Sequence, residues 1–418
     1  MKNKNFKLIT VVCIIIITAV TAAITTGLII NNNIESKIGI SYNDLIKDES
    51  LNEFLKIYNL INQNFYGELD KNKLIDVAKD SLISYSKAGD TKLMEHVLED
   101  VFNYLGDDYT SYLTGEKSEL LESELEGTYK GVGVSITKNK VISVVKDSSA
   151  AKEGVRPNDI ITKVNEYSIT EENSYLISLL ISDEKTNNIN ITVQREDQII
   201  NFNLSKSTID SSVLSSIIEN TSIGYIKLSV FSKNSYDNFK NSLNSLENQN
   251  VNSLIIDLRD NGGGYLEQAT QIASLFLNKG QVINRVESNS GKAINKDLTE
   301  ECYTKPIIIL VNGNSASASE ILSAALLEND KAKLVGTKTY GKGTIQQLIE
   351  TSSGNTAKYT SANWYTPNNN WINKVGIMPN YIIEIEKKYN KDNEIIGLID
   401  TQLNKAIEIL SKQLQKKE

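Results

Sequence analysis

The sequence predicts an α/β protein preceded by a helical region, because three patterns follow one another along the chain. Apolar residues recur near a period of 3.6 between Ser41 and Leu105, which is typical of amphipathic helices. Short apolar strands dominate the segment from Gly127 to Ser207. From Ile223 onward, strand-like and helical runs alternate, which predicts βαβ crossovers around a parallel sheet.

Composition excludes several classes of function. The chain has 418 residues and a formal net charge of -8, so nucleic acid is not expected as the main partner. It has two cysteines and a single histidine, His96, which is too few for a zinc site. We therefore expect no metal and no other cofactor.

The N-terminus predicts a membrane anchor. Three lysines precede an uncharged run of 23 residues, 8–30, and about 20 apolar residues span a bilayer. The lysines favour a cytoplasmic tail at 1–7 and an extracytoplasmic location for the rest, in a single-pass protein of the cell membrane. The alternative is a cleaved signal peptide and a secreted form, with Thr21–Ala23 as the cleavage region, although the run is long for that role.

The helical region is predicted from Ser41 to Leu105, and it breaks at Gly106–Thr110 before a further helical piece that runs to Glu126. His96 falls inside a helical run, where we interpret it as a half-buried structural residue rather than a ligand.

The segment after Gly127 predicts a small, partly open barrel. A helix is expected at Ser149–Gly154 and another at Ser174–Ile181. Four strands are predicted, at Val141–Val145, Ile160–Val164, Ile189–Gln194 and Ile199–Leu204. A purely structural β-domain with a glycine bend fits the same pattern.

The alternating region predicts strands and helices in regular order. The strands are Gly224–Leu228, Ser253–Leu258, Lys305–Val311 and Lys333–Gly336, and the helices are Ser235–Leu246, Tyr265–Leu277 and Ser317–Leu327. An amphipathic helix, Ile399–Leu410, closes the chain.

Three serines, Ser315, Ser317 and Ser319, lie where a predicted strand leads into a helix. A helix start offers free backbone N–H groups to developing negative charge, which suits a nucleophile. The window from Ser317 to Glu320 equally satisfies a helix capping box, and spacing does not rank the three serines. A serine nucleophile needs a base, and a neutral lysine can replace histidine.

Lys342 is the candidate base, and it lies between two glycines. Its reference pKa of about 10.4 would have to fall by roughly 3 units, a cost of about 4 kcal/mol, which requires a desolvated pocket. Gln346 lies four residues later, and this spacing puts two side chains on one face of a helix or a strand. An ordinary solvated lysine is the alternative.

A glycine-rich loop, Asp257–Gly264, follows an apolar strand. Its three glycines before a helix would form a nest of backbone donors for a phosphate or an oxyanion, and a plain turn is the alternative. The loop lacks the glycine and lysine order of a P-loop. We expect Arg259 to support the loop rather than bind substrate.

These motifs, and their order along the chain, resemble the motif pattern of the C-terminal processing peptidases, which are also called tail-specific proteases. The resemblance rests on Gly106–Thr110, Asp257–Gly264, Ser315–Glu320 and Gly341–Gln346, and on a segment similar to a bacterial-protease PDZ domain. It implies a crotonase-like α/β core with an inserted PDZ domain. Asp107–Asp108 and Met378–Asn380 depart from the family pattern without touching the motifs that would carry the chemistry.

The resemblance also implies residue roles. It makes Ser317 the nucleophile, Lys342 its base and Gln346 the residue that supports the base. The oxyanion hole would use the N–H of Ala318 and that of Gly262 or Gly263. The PDZ loop that would hold the C-terminus of a protein substrate is Gly131, Val132, Gly133 and Val134.

The implied domains are a tail (1–7), an anchor (8–30), a helical region (31–114), a PDZ domain (115–207), a protease core (208–382) and a C-terminal helical segment (383–418). The alternatives are a catalytically inactive PDZ scaffold at the membrane and a CoA-thioester enzyme on a related core. The helical segments could pair two copies in a homodimer.

Overall fold

The computed structural model describes residues 49–88, 90, 92–145, 148–182, 186–300, 302–389 and 395–415. The predicted anchor at 8–30 lies outside these residues. Across the residues it does describe, no helix has both the length and the apolar character needed to cross a membrane.

The described residues form helices α1 to α10 and strands β1 to β21. The helices are Glu49–Asn64, Lys71–Ala88, Leu93–Tyr104, Glu116–Glu126, Ser149–Glu153, Tyr175–Ser182, Ser235–Asn248, Leu266–Ser274, Ala318–Glu328 and Thr401–Gln415. The strands are Ser111–Leu113, Thr128–Gly131, Val134–Thr137, Lys140–Val144, Ile160–Val164, Tyr167–Ser168, Asn188–Arg195, Gln198–Ser205, Ser207–Asp210, Val213–Ile217, Ile223–Leu228, Ser253–Asp257, Val282–Ser288, Gly291–Lys296, Ile307–Val311, Ala332–Gly336, Thr344–Glu350, Thr356–Tyr365, Tyr381–Ile382, Glu386–Tyr389 and Ile395–Ile399.

The chain divides into two compact units. Of the described residues, unit 1 contains those up to Leu121, Val286–Lys292 and Thr344–Trp364, and unit 2 contains those in Glu122–Arg285, in Ala293–Gly343 and from Tyr365 onward. Several strands contribute residues to both units.

Unit 1 is built on the predicted helical region. The apolar stripes of α1, α2 and α3 form one core, in which Phe54, Ile61 and Phe102 are fully buried together with Tyr359 of β18. Strands β1 and β17 pair with β18 antiparallel. His96 is a half-buried helical residue, as expected, and its Nδ1 lies 2.7 Å from Asp90 Oδ2.

The PDZ segment of unit 2 is an antiparallel sheet in the order β3-β4-β5-β7-β8, with β6 paired to β5. Strand β7 alternates between buried and more exposed residues over most of its length, which is why a period of two could be recognised in its sequence. Its core includes Val141, Ile161, Ile191 and Leu204. The four strands and two helices predicted here are confirmed, with no end shifted by more than one residue.

The rest of unit 2 contains a six-stranded sheet in the order β10-β11-β12-β15-β16-β19. Five of these strands are parallel to one another, namely β11, β12, β15, β16 and β19, and β10 is antiparallel to β11 at one edge of the sheet. Every residue of β12 and β15 is buried, as expected of central parallel strands covered on both faces. Helix α10 contributes Ala406 and Leu410 to the core beside Ile308. The predicted α/β pattern is confirmed.

Candidate active site

The serine turn, residues 312–317, connects the carboxyl end of β15 to the start of α9. Open α/β sheets bind ligands beyond this end of their parallel strands. Ser317 is the N-cap residue of α9, with φ 54° and ψ -114°. A positive φ is uncommon for a residue with a side chain, and such backbone strain concentrates at functional sites.

The three candidate serines, two in the turn and one in the first turn of α9, have different environments. Ser315 and Ser319 are fully buried. The Ser315 hydroxyl donates to the carbonyl of Leu258 at 2.8 Å, and the Ser319 hydroxyl donates to the carbonyl of Asn261 at 2.9 Å. Ser317 is half-buried. The two outer serines therefore fasten the turn to the glycine-rich loop, and the middle one is partly accessible.

The glycine-rich loop follows β12, the neighbour of β15 in the sheet. Asn261 is fully buried and holds the loop in three directions. Its Nδ2 donates to the Leu228 carbonyl at 2.8 Å, its Oδ1 accepts from Gly263 N–H at 2.9 Å, and its own carbonyl accepts from Ala316 N–H at 3.0 Å. The loop and the serine turn are thus one hydrogen-bonded assembly.

Asp260 adds a second connection between the loop and the turn. Its Oδ1 accepts from the side-chain amides of Asn312 and Asn314, each at 2.9 Å. The hydrogen bonds from Asn314 and Asn312 hold the pKa of Asp260 below its ordinary value. The carboxylate is therefore charged at neutral pH, and both amides keep their acceptor.

Gly263 lies against Ser317. A methyl group on Gly263, which has φ 112°, would lie 2.8 Å from Ser317 Cβ and 3.2 Å from Ala318 N. A side chain here would occupy the space beside the N–H proposed for the oxyanion hole. The Gly263 carbonyl also accepts from Phe231 N–H at 2.8 Å, so both of its backbone groups are used. Around the exposed Gly262, an added methyl group would meet nothing within 4 Å.

Glu320 connects the serine turn to the lysine loop, which we define as residues 339–343. This carboxylate is fully buried. Its Oε2 accepts from the backbone N–H of Ser317 at 3.0 Å and of Lys342 at 2.8 Å. Its Oε1 accepts from Gly341 N–H at 2.7 Å and from the Thr339 hydroxyl at 2.5 Å.

Burial raises the pKa of Glu320 above its ordinary value, and the four hydrogen bonds oppose this rise. Because all four partners donate, they favour the ionised form. The predicted capping box gave a local role for Glu320. Its second role, as the anchor of the lysine loop 22 residues along the chain, had no signal in the sequence.

Backbone atoms closely cover the two glycines of the lysine loop. A methyl group on Gly341, which has φ 89°, would lie 2.7 Å from Gly376 N and 2.9 Å from Val375 N. Gly343 N–H donates to Asn373 Oδ1 at 3.1 Å. Lys342 itself is half-buried.

Gln346 lies in β17 of unit 1, where its Nε2 donates to the hydroxyls of Thr344 at 2.9 Å and Thr360 at 3.2 Å. The spacing argument for Gln346 does not hold in this structure. Lys342 precedes the strand, so the alternation of side chains in β17 does not extend to it, and the pairing with β18 shifts register between Ile345 and Gln346 by skipping Ser361. Its role beside Lys342 stays a prediction.

Comparison with known proteins identifies the family. A model described as peptidase family S41 matches residues 222–383, and one described as a PDZ domain matches residues 128–205. The carboxy-terminal processing protease CtpA of Bacillus subtilis (strain 168) is 32% identical over 378 residues, which cover 89% of this chain and 76% of that protein. This chain belongs to the carboxy-terminal processing proteases of peptidase family S41. It is therefore a serine-type protease with a PDZ domain.

Two further similarities agree. A probable CtpA-like serine protease of Staphylococcus epidermidis (strain ATCC 35984) is 30% identical over 310 residues, which cover 72% of this chain and 63% of that protein, so the chain spans less than two thirds of it. The solved structure of a lipoprotein from Streptococcus agalactiae matches with a TM-score of 0.52, covering 87% of this chain and 97% of that one. At 13% identity this match shows a shared fold only.

Arg259 of the protease supports the glycine-rich loop, as expected. Its Nη2 and Nε contact the Asp257 carboxylate, with the shortest contact 2.6 Å, and Tyr225 donates to the same carboxylate at 2.7 Å. Arg259 Nη1 donates to Asp400 at 2.7 Å and to Gln402 at 3.2 Å, which ties the loop to the start of α10.

The PDZ loop of the protease is largely covered in this structure. Gly131, Val132 and Gly133 are buried and Val134 is half-buried. The carbonyl of Val132 accepts from Ala150 N–H at 3.0 Å, and that of Gly133 accepts from Val145 N–H at 2.9 Å. These bonds fix the loop against the start of α5, and a role in peptide binding stays a prediction.

Proposed function

We propose that this protein is a membrane-anchored, extracytoplasmic endopeptidase that cleaves protein substrates near their C-termini with a Ser317/Lys342 dyad. The observation that carries the proposal is the Glu320 carboxylate, which accepts from the backbone N–H groups of both Ser317 and Lys342. Two segments far apart in sequence are thereby held at one point. Serine with a lysine base is an established form of nucleophilic catalysis.

In the proposed reaction, Lys342 Nζ removes the proton of the Ser317 hydroxyl as Oγ attacks a peptide carbonyl. The tetrahedral intermediate carries its negative charge on the former carbonyl oxygen. Ala318 N–H and one glycine N–H of the glycine-rich loop donate to that oxyanion. Lys342 then returns the proton to the leaving amine, and an acyl-enzyme remains on Ser317.

Water completes the reaction. Lys342 removes a proton from a water molecule, which attacks the acyl carbonyl, and Ser317 recovers its proton as the new carboxylate leaves. Every proton passes through the same amine, so the mechanism requires no metal or nucleotide. It does require that Lys342 be neutral when Ser317 is attacked.

The choice of Ser317 is supported by its neighbours. Ser315 and Ser319 donate their hydroxyl protons to main-chain carbonyls and are fully buried, which suits a structural role. For the oxyanion hole, Gly262 is favoured over Gly263, since the Gly263 N–H already donates to Asn261. Gln346 is retained as a supporting residue for Lys342 on the family resemblance alone.

The remaining parts of the proposal come from the sequence and from the relatives. The Bacillus relative is named for processing at the carboxy terminus, and the PDZ domain suits capture of a protein tail. The uncharged run at 8–30 supports a single-pass anchor at the cell membrane. A homodimer through the helical segments is a further expectation.

The test compares the termini of membrane and exported proteins in cells that carry wild-type protein or Ser317→Ala. We expect shortened C-termini only with the wild type, measured by mass spectrometry, while purified Ser317→Ala keeps the wild-type melting temperature. Identical termini in both strains, together with no cleavage of any peptide by the purified wild type, would overturn the proposal.

A further inference from the structure

A cavity of about 550 Å³ lies within unit 2, between the PDZ domain and the protease core. We call it the PDZ–core cavity. The PDZ domain lines it with Val145 and Ser148, and α7 lines it with Asn238 and Ser242. Strands β9 and β10 form one wall of it. Its volume falls in the range of roughly 300–1,000 Å³ that is usual for ligand sites.

One wall of the cavity is formed by the edges of strands β9 and β10. Residues 207–210 of β9 and 213–215 of β10 all line the cavity in succession. Neighbouring residues of a strand point to opposite faces, so an unbroken run of lining residues means that the edge of the strand faces the cavity. Among the strands described, β10 pairs with β11 and β9 pairs with β2, each along one edge. An unpaired edge is a template for another strand.

The lining suits a neutral polypeptide main chain. Helix α7 presents amides and hydroxyls, which can both donate and accept. Asp210 is the charged residue among those described along the lining. Its carboxylate already accepts from Ser212 N–H at 2.9 Å and from Asn238 Nδ2 at 2.8 Å. An anionic ligand would therefore find no opposite charge in the described lining, and the Asp210 oxygens are already engaged by neutral donors.

One end of the cavity adjoins the PDZ loop. Ser148, which lines the cavity, is so close to Gly133 that a methyl group on Gly133 would overlap its Cβ. At the other end, Val213 pairs with Leu228, whose carbonyl accepts from Asn261 of the glycine-rich loop. The cavity therefore lies between the loop proposed to hold the tail and the assembly that carries Ser317.

We propose that the PDZ–core cavity binds an extended, uncharged segment of the substrate as an added strand on the edges of β9 and β10. This segment lies between the captured C-terminus and the scissile bond. Main-chain hydrogen bonds supply affinity in this mode of binding, and side-chain pockets supply selectivity. The inference rests on the proposed function and extends it to the substrate's path.

The test fills the cavity from α7. Ser242→Phe places a ring in the lining, and Asn244→Phe places the same ring on an exposed position of the same helix outside the cavity. Both are compared with wild type on a long peptide with a free C-terminal tail and on a short peptide that ends just beyond the scissile bond. A third substrate is the long peptide with N-methyl groups in the segment between the tail and the scissile bond.

We expect Ser242→Phe to raise KM for the long peptide by about tenfold, with kcat little changed and the short peptide unaffected. Asn244→Phe should match wild type on both peptides. N-methylation should raise KM by a similar factor in wild type and have little effect in Ser242→Phe. Either of two results would overturn the inference. One is an equal KM of Ser242→Phe and Asn244→Phe for the long peptide. The other is that the wild-type enzyme has the same KM for the N-methylated peptide as for the unmodified one.

These outcomes separate the inference from the proposed function. If wild type cleaves neither peptide, the proposed function fails. If wild type cleaves both and Ser242→Phe discriminates no more than Asn244→Phe, the endopeptidase stands and the cavity is not the substrate's path. If Ser242→Phe folds poorly, the test uses the inactive variant Ser317→Ala. Its affinity for the labelled long peptide, with and without N-methyl groups, is measured by fluorescence anisotropy. Weaker binding of the N-methylated peptide supports the inference, and equal binding overturns it.

Discussion

The serine turn and the lysine loop are held in different ways. The serine turn is fastened to the glycine-rich loop by Ser315, Ser319, Asp260 and Asn261, through both side-chain and backbone groups. The lysine loop depends on the Glu320 carboxylate, on Asn373 and on the close packing of its glycines. The proposed nucleophile, Ser317, thus lies in a turn held by several side chains, whereas Glu320 is the one carboxylate that accepts from the loop of the proposed base, Lys342.

The largest expected effect compares the three serines. Ser317→Ala should lower kcat by at least about 10⁴-fold without a change in melting temperature, because it removes the nucleophile alone. Ser315→Ala and Ser319→Ala should each cost roughly 1–2 kcal/mol of unfolding free energy, since a buried hydrogen bond is lost, and should retain cleavage. Chemical denaturation and a cleavage assay measure both. An active Ser317→Ala would move the nucleophile elsewhere.

Glu320→Gln should produce the next largest effect. An amide can accept with only one of its two heavy atoms, so at least one backbone donor from the serine turn or the lysine loop meets another donor. We expect a loss of roughly 2–3 kcal/mol in unfolding free energy and a fall in kcat of about 10²-fold, because the base is misplaced.

Glu267→Gln, on the exposed first turn of α8, is the matched control for Glu320→Gln. It should leave both the unfolding free energy and kcat close to their wild-type values. The decisive readout is kcat/KM in the variant under conditions where both proteins are fully folded. Wild-type turnover in a folded Glu320→Gln would show that the carboxylate does not position the dyad.

A third variant pair distinguishes the two candidate oxyanion glycines. Gly262→Pro deletes one N–H, and Gly262→Ala keeps it at a position with open space for the methyl group. If Gly262 donates to the oxyanion, the proline variant should lose about 10²-fold to 10³-fold in kcat, and the alanine variant should be near wild type. Equal activity of the two variants would assign the donor to Gly263, which would then share its N–H with Asn261.

The smallest effect is expected at the contact between Arg259 and Asp400. Burial alone would raise the pKa of Asp400, but the hydrogen bonds from Arg259 hold it below its ordinary value of 3.8. A depressed pKa in the folded state means that the stabilisation is present above pH 3.8 and is lost as the pH falls through the folded value.

Asp400→Asn should therefore cost no more than about 1 kcal/mol at neutral pH, because the carboxylate is partly solvated. The gap between wild type and variant should narrow and close as the pH falls below 3.8, measured by urea denaturation across pH. A gap that stays constant down to pH 2 would show that the carboxylate's charge is not what Arg259 requires.

Much of the fold was predictable because its periods are strong. The alternation in β7 and the fully apolar runs of β12 and β15 gave the correct elements. Strands β17 and β18 were missed. β18 runs from Thr356 to Tyr365, where no strand was predicted. Its pairing with β17 and with the distant β1 is set by tertiary contacts that no local pattern encodes.

The site was predictable to the extent that its chemistry is local. The helix start at Ser317 and the glycines around Lys342 are features of a few adjacent residues. Other features depend on contacts between distant segments. The hydrogen bonds that hold Ser315 and Ser319 against the glycine-rich loop, which includes Asn261, join residues more than 50 positions apart. The second role of Glu320 joins residues 22 positions apart. The spacing argument for Gln346 assumed one continuous helix or strand, but β17 begins at Thr344, after Lys342, so the alternation of its side chains does not extend to the lysine.

The most direct test of the central claim is the pH dependence of kcat/KM from pH 5 to 9 for wild type, together with turnover by Lys342→Ala. A neutral lysine base predicts a rate that rises with pH as the amine loses its proton, and a folded Lys342→Ala with no cleavage. A flat profile over this range, or cleavage retained by Lys342→Ala, would contradict the assignment of Lys342 as the base for Ser317.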